Sequence, residues 1–225
     1  TGQIHHMAAP GQEPVALTGG DAAPGCAVVH GDADGGYFLF ARDSGEAGTR
    51  DIFMQKFGAG EASALTDGGV NDHVVVDPAS GRIAYASNLR SPEAWDIRVM
   101  DPADPSTDRV VLEAPSPAGY RPTAWMPNSR HLLVVETAGP DDVKTLLLDT
   151  ETGSYRPVDL DEQAPCITNL SAVSPEKGFT LGVSDCVKGD HLNLVSVEMK
   201  VRYGHPQTRD IPWDVTDLAP SADLS

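Results

Sequence analysis

A phrase recurs along this chain at a period of roughly 46 residues, and no other feature limits its fold as tightly. The clearest copies are Arg50-Asp51-Ile52-Phe53-Met54 and Trp95-Asp96-Ile97-Arg98-Val99-Met100, with Asp96 45 positions after Asp51. A period of about 40–50 residues belongs to propellers and stacked arrays, whose units leave faces that only a neighbour can bury.

Each repeat reads as four short apolar runs bounded by Gly, Pro, Asn and Asp, the signature of β-strands joined by tight turns. The four repeats span residues 26–66, 73–112, 121–159 and 167–211. In the first, Cys26–His30, Tyr37–Ala41, Asp51–Lys56 and a run ending Ala64-Leu65-Thr66 are the expected strands. In the last they are Ile167–Val173, Phe179–Ser184, Leu192–Val197 and a strand near Thr208–Ile211. No stretch keeps helical periodicity for 11 residues or more, the length at which a helix becomes legible. The expected fold class is therefore all-β, a β-propeller of four-stranded blades.

Two partial copies flank the full ones. Val15-Ala16-Leu17-Thr18 lies 48 positions before Ser63-Ala64-Leu65-Thr66, so it reads as the outer strand of a preceding blade or as a strand that closes the ring. Residues 1–14 read as a flexible N-terminal segment, with His5-His6 part of a disordered tail. Residues 215–225 read as the start of a fifth repeat. About four blades with partial blades at both ends imply a larger ring, of seven or eight blades.

Sixteen basic against 33 acidic residues give a formal charge of −17. That field repels phosphate backbones and anionic membranes, so nucleic-acid partners are not expected. No run of 18 apolar residues is present, the minimum for a membrane-spanning helix. Residues 1–14 show no secretory leader, and a cytoplasmic location is the expectation. The acidity reads as a soluble surface, or as a cavity suited to cationic peptide termini.

Cys166 and Cys186 flank an expected hairpin whose turn is Pro175-Glu176-Lys177-Gly178, and their midpoint falls at 176. Residues opposite each other on paired strands lie about 4.5–5.5 Å apart, which suits a disulfide. Two free buried thiols in a reducing compartment fit the spacing equally. Cys26 stands apart. No Cys-x-x-Cys or His-x-x-x-His pair is present, so neither a metal site nor a cofactor is expected.

Chemistry-bearing motifs are scarce. The nearest approach to a nucleophile elbow is Gly182-Val183-Ser184-Asp185-Cys186, which lacks the closing glycine and ends a strand instead of opening a helix. Ser184 is accordingly read as a strand-to-loop residue, and no catalytic residue is assigned. Asp32-Ala33-Asp34-Gly35-Gly36 reads as a hairpin turn, because the later ligands of a calcium loop are missing. Asp101–Asp108 and Asp159–Glu162 read as acidic loops, and Gly19–Gly25 is too irregular for a phosphate loop. Trp95, Trp125 and Trp213 fall at strand boundaries, where large rings pack between blades.

Three stretches carry a family resemblance: residues 76–87, Asp96–Asp101, and Ser63-Ala64-Leu65-Thr66, with Val173-Ser174-Pro175-Glu176-Lys177-Gly178 echoing the first. Together they resemble the WD-like blades of TolB-type proteins. The same blades form the N-terminal propeller of prolyl-oligopeptidase-family serine peptidases, including dipeptidyl and acylaminoacyl peptidases. The resemblance covers residues 15–225. It implies a ring that caps an α/β-hydrolase active site and filters peptide substrates by size. The triad would lie outside this chain, in a hydrolase domain of the same polypeptide or of another chain. A TolB-like module that binds protein or peptide partners is the alternative. A lyase or hydrolase working in the central channel is a third, and would need His and acidic residues on the inner strands.

Overall fold

The computed structural model describes residues 3–7, 10–19, 27–31, 36–43, 48–58, 61–115, 118–139, 142–158, 160, 166–174, 178–186, 191–200, 203–208, 211–216 and 218. Among these there is no helix, and none long and apolar enough to cross a membrane. The chain opens with a two-stranded sheet of β1 (His5–His6) and β2 (Val15–Ala16). The first four-stranded unit follows as β3 (Ala27–His30), β4 (Tyr37–Asp43), β5 (Arg50–Lys56) and β6 (Ser63–Ala64). The second is β7 (Asn71–Val76), β8 (Ile83–Ser91), β9 (Ala94–Asp101) and β10 (Asp104–Leu112). The third is β11 (Ala118–Trp125), β12 (His131–Gly139), β13 (Asp142–Asp149) and β14 (Tyr155–Pro157). The fourth is β15 (Thr168–Val173), β16 (Phe179–Ser184), β17 (Asn193–Glu198) and β18 (Tyr203–Pro206).

Within every unit the strands pair antiparallel in sequence order, so each is a meander. The second and third units merge into one eight-stranded sheet through two parallel pairs, Ala118 with Ala94 and Gly119 with Trp95. The same seam recurs in outline elsewhere. Arg50 bridges Val70 in parallel, and the Val215 amide donates to the Leu192 carbonyl at 2.8 Å. In each case the chain entering the next unit runs beside the start of the third strand just completed.

The core is distributed over the seams between units, because a period of two sends successive side chains to opposite faces. In β12, Leu132 and Val134 pack toward the second unit with Ile97, Val99 and Trp125, whereas Leu133 packs toward the fourth with Leu170, Val195 and Val197. All three β12 residues are fully buried. In β4, Leu39 joins Ile83 and Tyr85 of the second unit, while Phe38 and Phe40 face Ile4 and Leu17. Burying a side chain of this size from water contributes about 1.5–3 kcal/mol, so each sheet is held mainly by its neighbours.

The recurring Asp-Ile phrase now has a physical cause. Gln3-Ile4, Asp51-Ile52, Asp96-Ile97, Lys144-Thr145 and Asn193-Leu194 occupy one structural position, spaced 48, 45, 48 and 49 residues apart. In the first three pairs the apolar member fills a seam, and Asp51, Asp96 and Asn193 are buried polar members that tie down backbone or side chains nearby. Thr66 donates to Asp51 at 3.0 Å and accepts the Ile52 amide at 2.9 Å. Thr18 repeats both bonds, donating to Gln3 and accepting the Ile4 amide, each at 2.9 Å.

Several expectations are corrected. The N-terminal segment is not a free tail: Gln3–His6 form the third-strand position of an incomplete unit, and the His6 ring lies 5.5 Å from that of Phe57. The last strand of the fourth unit is Tyr203–Pro206, not a strand near Thr208. Thr208 follows it and accepts the Leu194 amide at 3.0 Å, as Thr66 does after β6. Residues 104–108 belong to β10 rather than to a loop, because Asp104 pairs with Asp101 across a tight turn and Asp108 pairs with Arg98 at 2.6 Å. Trp213 is 65% exposed instead of packed between blades. Asp32–Gly35 of the expected turn, Cys26 and most of Gly19–Gly25 and Asp159–Glu162 lie outside the described residues.

Candidate functional site

The first strands of the second, third and fourth units, β7, β11 and β15, each carry a β-bulge. The register slips between Asp72 and Val75, between Pro122 and Ala124, and between Leu170 and Ala172. Val74, Thr123 and Ser171 therefore occupy one repeated position, 49 and 48 residues apart, and Asp72, Arg121 and Asn169 occupy another with the same spacing. A bulge re-aims the side chains around it and is common beside binding sites. Here all six residues line a single cleft of about 290 Å³ together with His73.

His73 is one of two non-glycine residues found with a positive φ, at 56°. That conformation is unusual for a side chain with a Cβ, and Asp72 supports it by accepting the His73 amide at 2.8 Å. The ring's pKa is held below its ordinary range, first by loss of surrounding water. Asp72 pulls the other way, and the Arg121 charge lowers it further. The imidazole is neutral at pH 7.

The charges in the cleft are not balanced. Asp72 is neutralised by Arg50 at 3.1 Å, and Arg50 also pairs with Asp43. Arg121 has no such partner: its Nε is buried and makes no hydrogen bond among the described residues. The Oδ1 of Asn169 is buried and unbonded in the same way. Buried polar groups are ordinarily satisfied, and the two residues that carry these orphans line the same cleft. On the other side of Arg121 lies a second hollow of about 180 Å³, lined by His73, Trp95, Gly119, Tyr120 and Thr137. Tyr120 is buried and its hydroxyl donates to Glu136 at 3.3 Å.

The residues singled out from sequence fall elsewhere. Ser184 is fully buried at the end of β16 and its hydroxyl accepts the Cys186 amide at 3.0 Å, a structural position. Trp125 seals the seam between the second and third units, donating from its indole nitrogen to the Val75 carbonyl at 3.3 Å under the Arg82 guanidinium. Trp95 lines the second hollow. Cys166 and Cys186 are joined, with Cα atoms 5.2 Å apart; the pairing of Thr168 with Ser184 carries on to them. With Asp185 they are the one group of possible metal ligands among the described residues. A disulfide takes both sulfurs out of that role.

Comparison with solved structures decides the fold. A TolB-type protein of Agrobacterium tumefaciens superposes with a TM-score of 0.67 at 14% identity, covering 91% of this chain and 73% of that one. The fold is that of the TolB-type propellers. A puromycin-hydrolyzing peptidase of Mycobacterium tuberculosis matches with a TM-score of 0.66 at 14% identity, over 93% of this chain and 35% of the peptidase. An oligogalacturonate lyase in complex with manganese matches with a TM-score of 0.61 at 16% identity, over 90% of this chain and 58% of the lyase. Neither a family model nor a curated protein sequence matches the chain. At these identities the likeness concerns the blade-type sheets and their arrangement, shared by TolB propellers and the propeller domains of the prolyl-oligopeptidase family.

Proposed function

We propose that this chain is the non-catalytic propeller portion of a prolyl-oligopeptidase-type serine peptidase, gating peptide access to an α/β-hydrolase active site carried outside these 225 residues. One observation carries the reading. The inner strands of three successive units turn a row of polar side chains into one cleft, while the sole elbow-like serine, Ser184, is buried and engaged in a structural hydrogen bond. Such a surface is equipped to hold an extended polar chain. The puromycin-hydrolyzing peptidase matched over 35% of its length supports a ring joined to a larger catalytic body.

A second reading is a TolB-like module that binds a protein or peptide, favoured by the 73% share of the TolB-type protein that the chain spans. A channel lyase is less well supported. Asp72 and His73 do stand on an inner strand, but Asp72 is held by Arg50 and no group of possible metal ligands includes either residue among those described.

The experiment is fluorophosphonate labelling of the native full-length polypeptide, with the adduct mapped by mass spectrometry. Labelling of a serine outside residues 1–225 is expected. A protein that binds peptides and takes no label would leave the module reading in its place.

A further inference from the structure

We propose that Arg121, with Asn169 and His73, forms a subsite on the inner-strand face that takes the C-terminal carboxylate of a bound peptide. It rests on the peptide-handling reading above and specifies which end of the peptide the propeller holds.

Arg121 differs from the other arginines that are not fully exposed. Arg50, Arg90, Arg98 and Arg130 each hold a carboxylate. Arg82 and Arg109 donate to backbone carbonyls of the neighbouring unit, and Arg42 lies over the Phe53 ring at 4.2 Å. Arg121 alone combines partial burial with no partner among the described residues, and it lines both clefts. A guanidinium removed from bulk water without a counter-charge is costly, and the planar Nε–Nη edge is shaped for a carboxylate. In a chain of charge −17 carboxylates are abundant, yet among the described residues none pairs with this group.

The neighbouring groups narrow the ligand further. Asn169 lines the same cleft, and its Oδ1 is an acceptor without a partner among the described residues, which suits a ligand that brings a donor close to its carboxylate. A peptide C-terminus does this, since the last amide N–H lies one residue from the carboxylate. The hollow beyond Arg121, walled by Trp95 and Tyr120, has about 180 Å³ for an apolar terminal side chain. His73, neutral and set in its bulge between the two clefts, adds a ring that can donate or accept. Asp72 does not oppose an incoming anion, because Arg50 compensates it at 3.1 Å.

The test is calorimetric titration of the chain with three short probes: N-acetyl-Ala-Ala-Phe with a free carboxylate, the same peptide as its C-terminal amide, and di-galacturonate. The free acid should bind at least about 10-fold more tightly than the amide, the loss expected for removing a charge-assisted pair. Arg121→Gln should erase that preference, and Asn169→Asp should weaken the acid and spare the amide, with circular dichroism unchanged in both. Equal affinity for acid and amide, or an Arg121→Gln protein that keeps the preference, would overturn the subsite. So would binding of di-galacturonate without the peptide acid. Serine labelling is read separately, so failure of the peptidase assignment and failure of the subsite give different results.

Discussion

The Thr145 hydroxyl of the third unit accepts the amide proton of Leu170 in the fourth at 3.1 Å. The same hydroxyl donates to the Thr168 carbonyl at 2.8 Å, and Thr145 is buried. One side chain thus satisfies two backbone groups on the first strand of the next unit, beside the apolar cluster of Leu133, Leu170, Val195 and Val197. Replacing it with valine keeps the shape and orphans both groups, at about 1–3 kcal/mol each. Thr145→Val should lower the urea midpoint by the equivalent of about 2–4 kcal/mol with an unchanged slope. Thr145→Ser should stay near wild type.

Gly182 is a second constraint on the same strand pair. A Cβ there would lie 2.2 Å from the Asn169 carbonyl oxygen and 2.6 Å from the Leu170 Cα. Both contacts are backbone and cannot rotate away, so β15 must move from β16. Gly182→Ala should destabilise by about 1–3 kcal/mol or more, the usual range for overpacking. Amide exchange should speed up first in β15, the strand that carries Asn169 and Ser171.

Asp149 makes a pH-dependent contribution. Its carboxyl accepts from Arg130 at 2.6 and 3.1 Å, and from the Glu151 and Thr152 amides. Chiefly through Arg130, these bonds hold its pKa well below the usual carboxylate range. A depressed folded-state pKa gives stability that is present above the unfolded value, about 3.9, and lost as pH falls through it toward the folded one. Asp149→Asn should therefore be less stable than wild type at pH 7. The difference in melting temperature should shrink as pH drops below about 4, where the unfolded carboxyl is itself protonated. A difference that stayed constant with pH would assign the loss to turn geometry instead.

The Cys166–Cys186 link closes a separation of 20 residues. In the chain-entropy account a loop of this size contributes about 3 kcal/mol, so reduction should lower stability by that order. Thiol titration gives an independent check. Of three cysteines, one should react in the unreduced denatured protein and three after reduction. Three reactive thiols without reductant would show the pair to be free.

Strand positions were readable because each unit is a meander whose turns carry Gly, Pro, Asn and Asp at regular intervals. Phe179–Ser184 is found as expected, and most other strands shift by one to four residues at an end. The errors have a common origin. Thr208 and His5-His6 look unremarkable alone and make sense only beside Thr66 and Phe53-Met54, since their roles come from the strand they lie against. Trp95 and Trp125 were indistinguishable as boundary residues, yet one walls a cleft and the other seals a seam. The site itself was missed: Asp72, Arg121 and Asn169 share one repeat position but no residue type. Their 49- and 48-residue spacing was a signal that only an alignment of the repeats would have raised.

By itself the sequence determined the repeat, its all-β character and the absence of a nucleophile elbow, because these depend on local turn chemistry and side-chain period. The tertiary structure decided what the repeat positions do. Three bulges turn inner-strand residues into one cleft, and seams between sheets decide which polar groups are satisfied. Among the described residues, Arg50 finds Asp72 across a seam, Arg121 finds no carboxylate, and the Asn169 Oδ1 finds no donor. Those outcomes rest on contacts between residues some 20–50 positions apart, and local pattern carries no information about which of them a folded chain will complete.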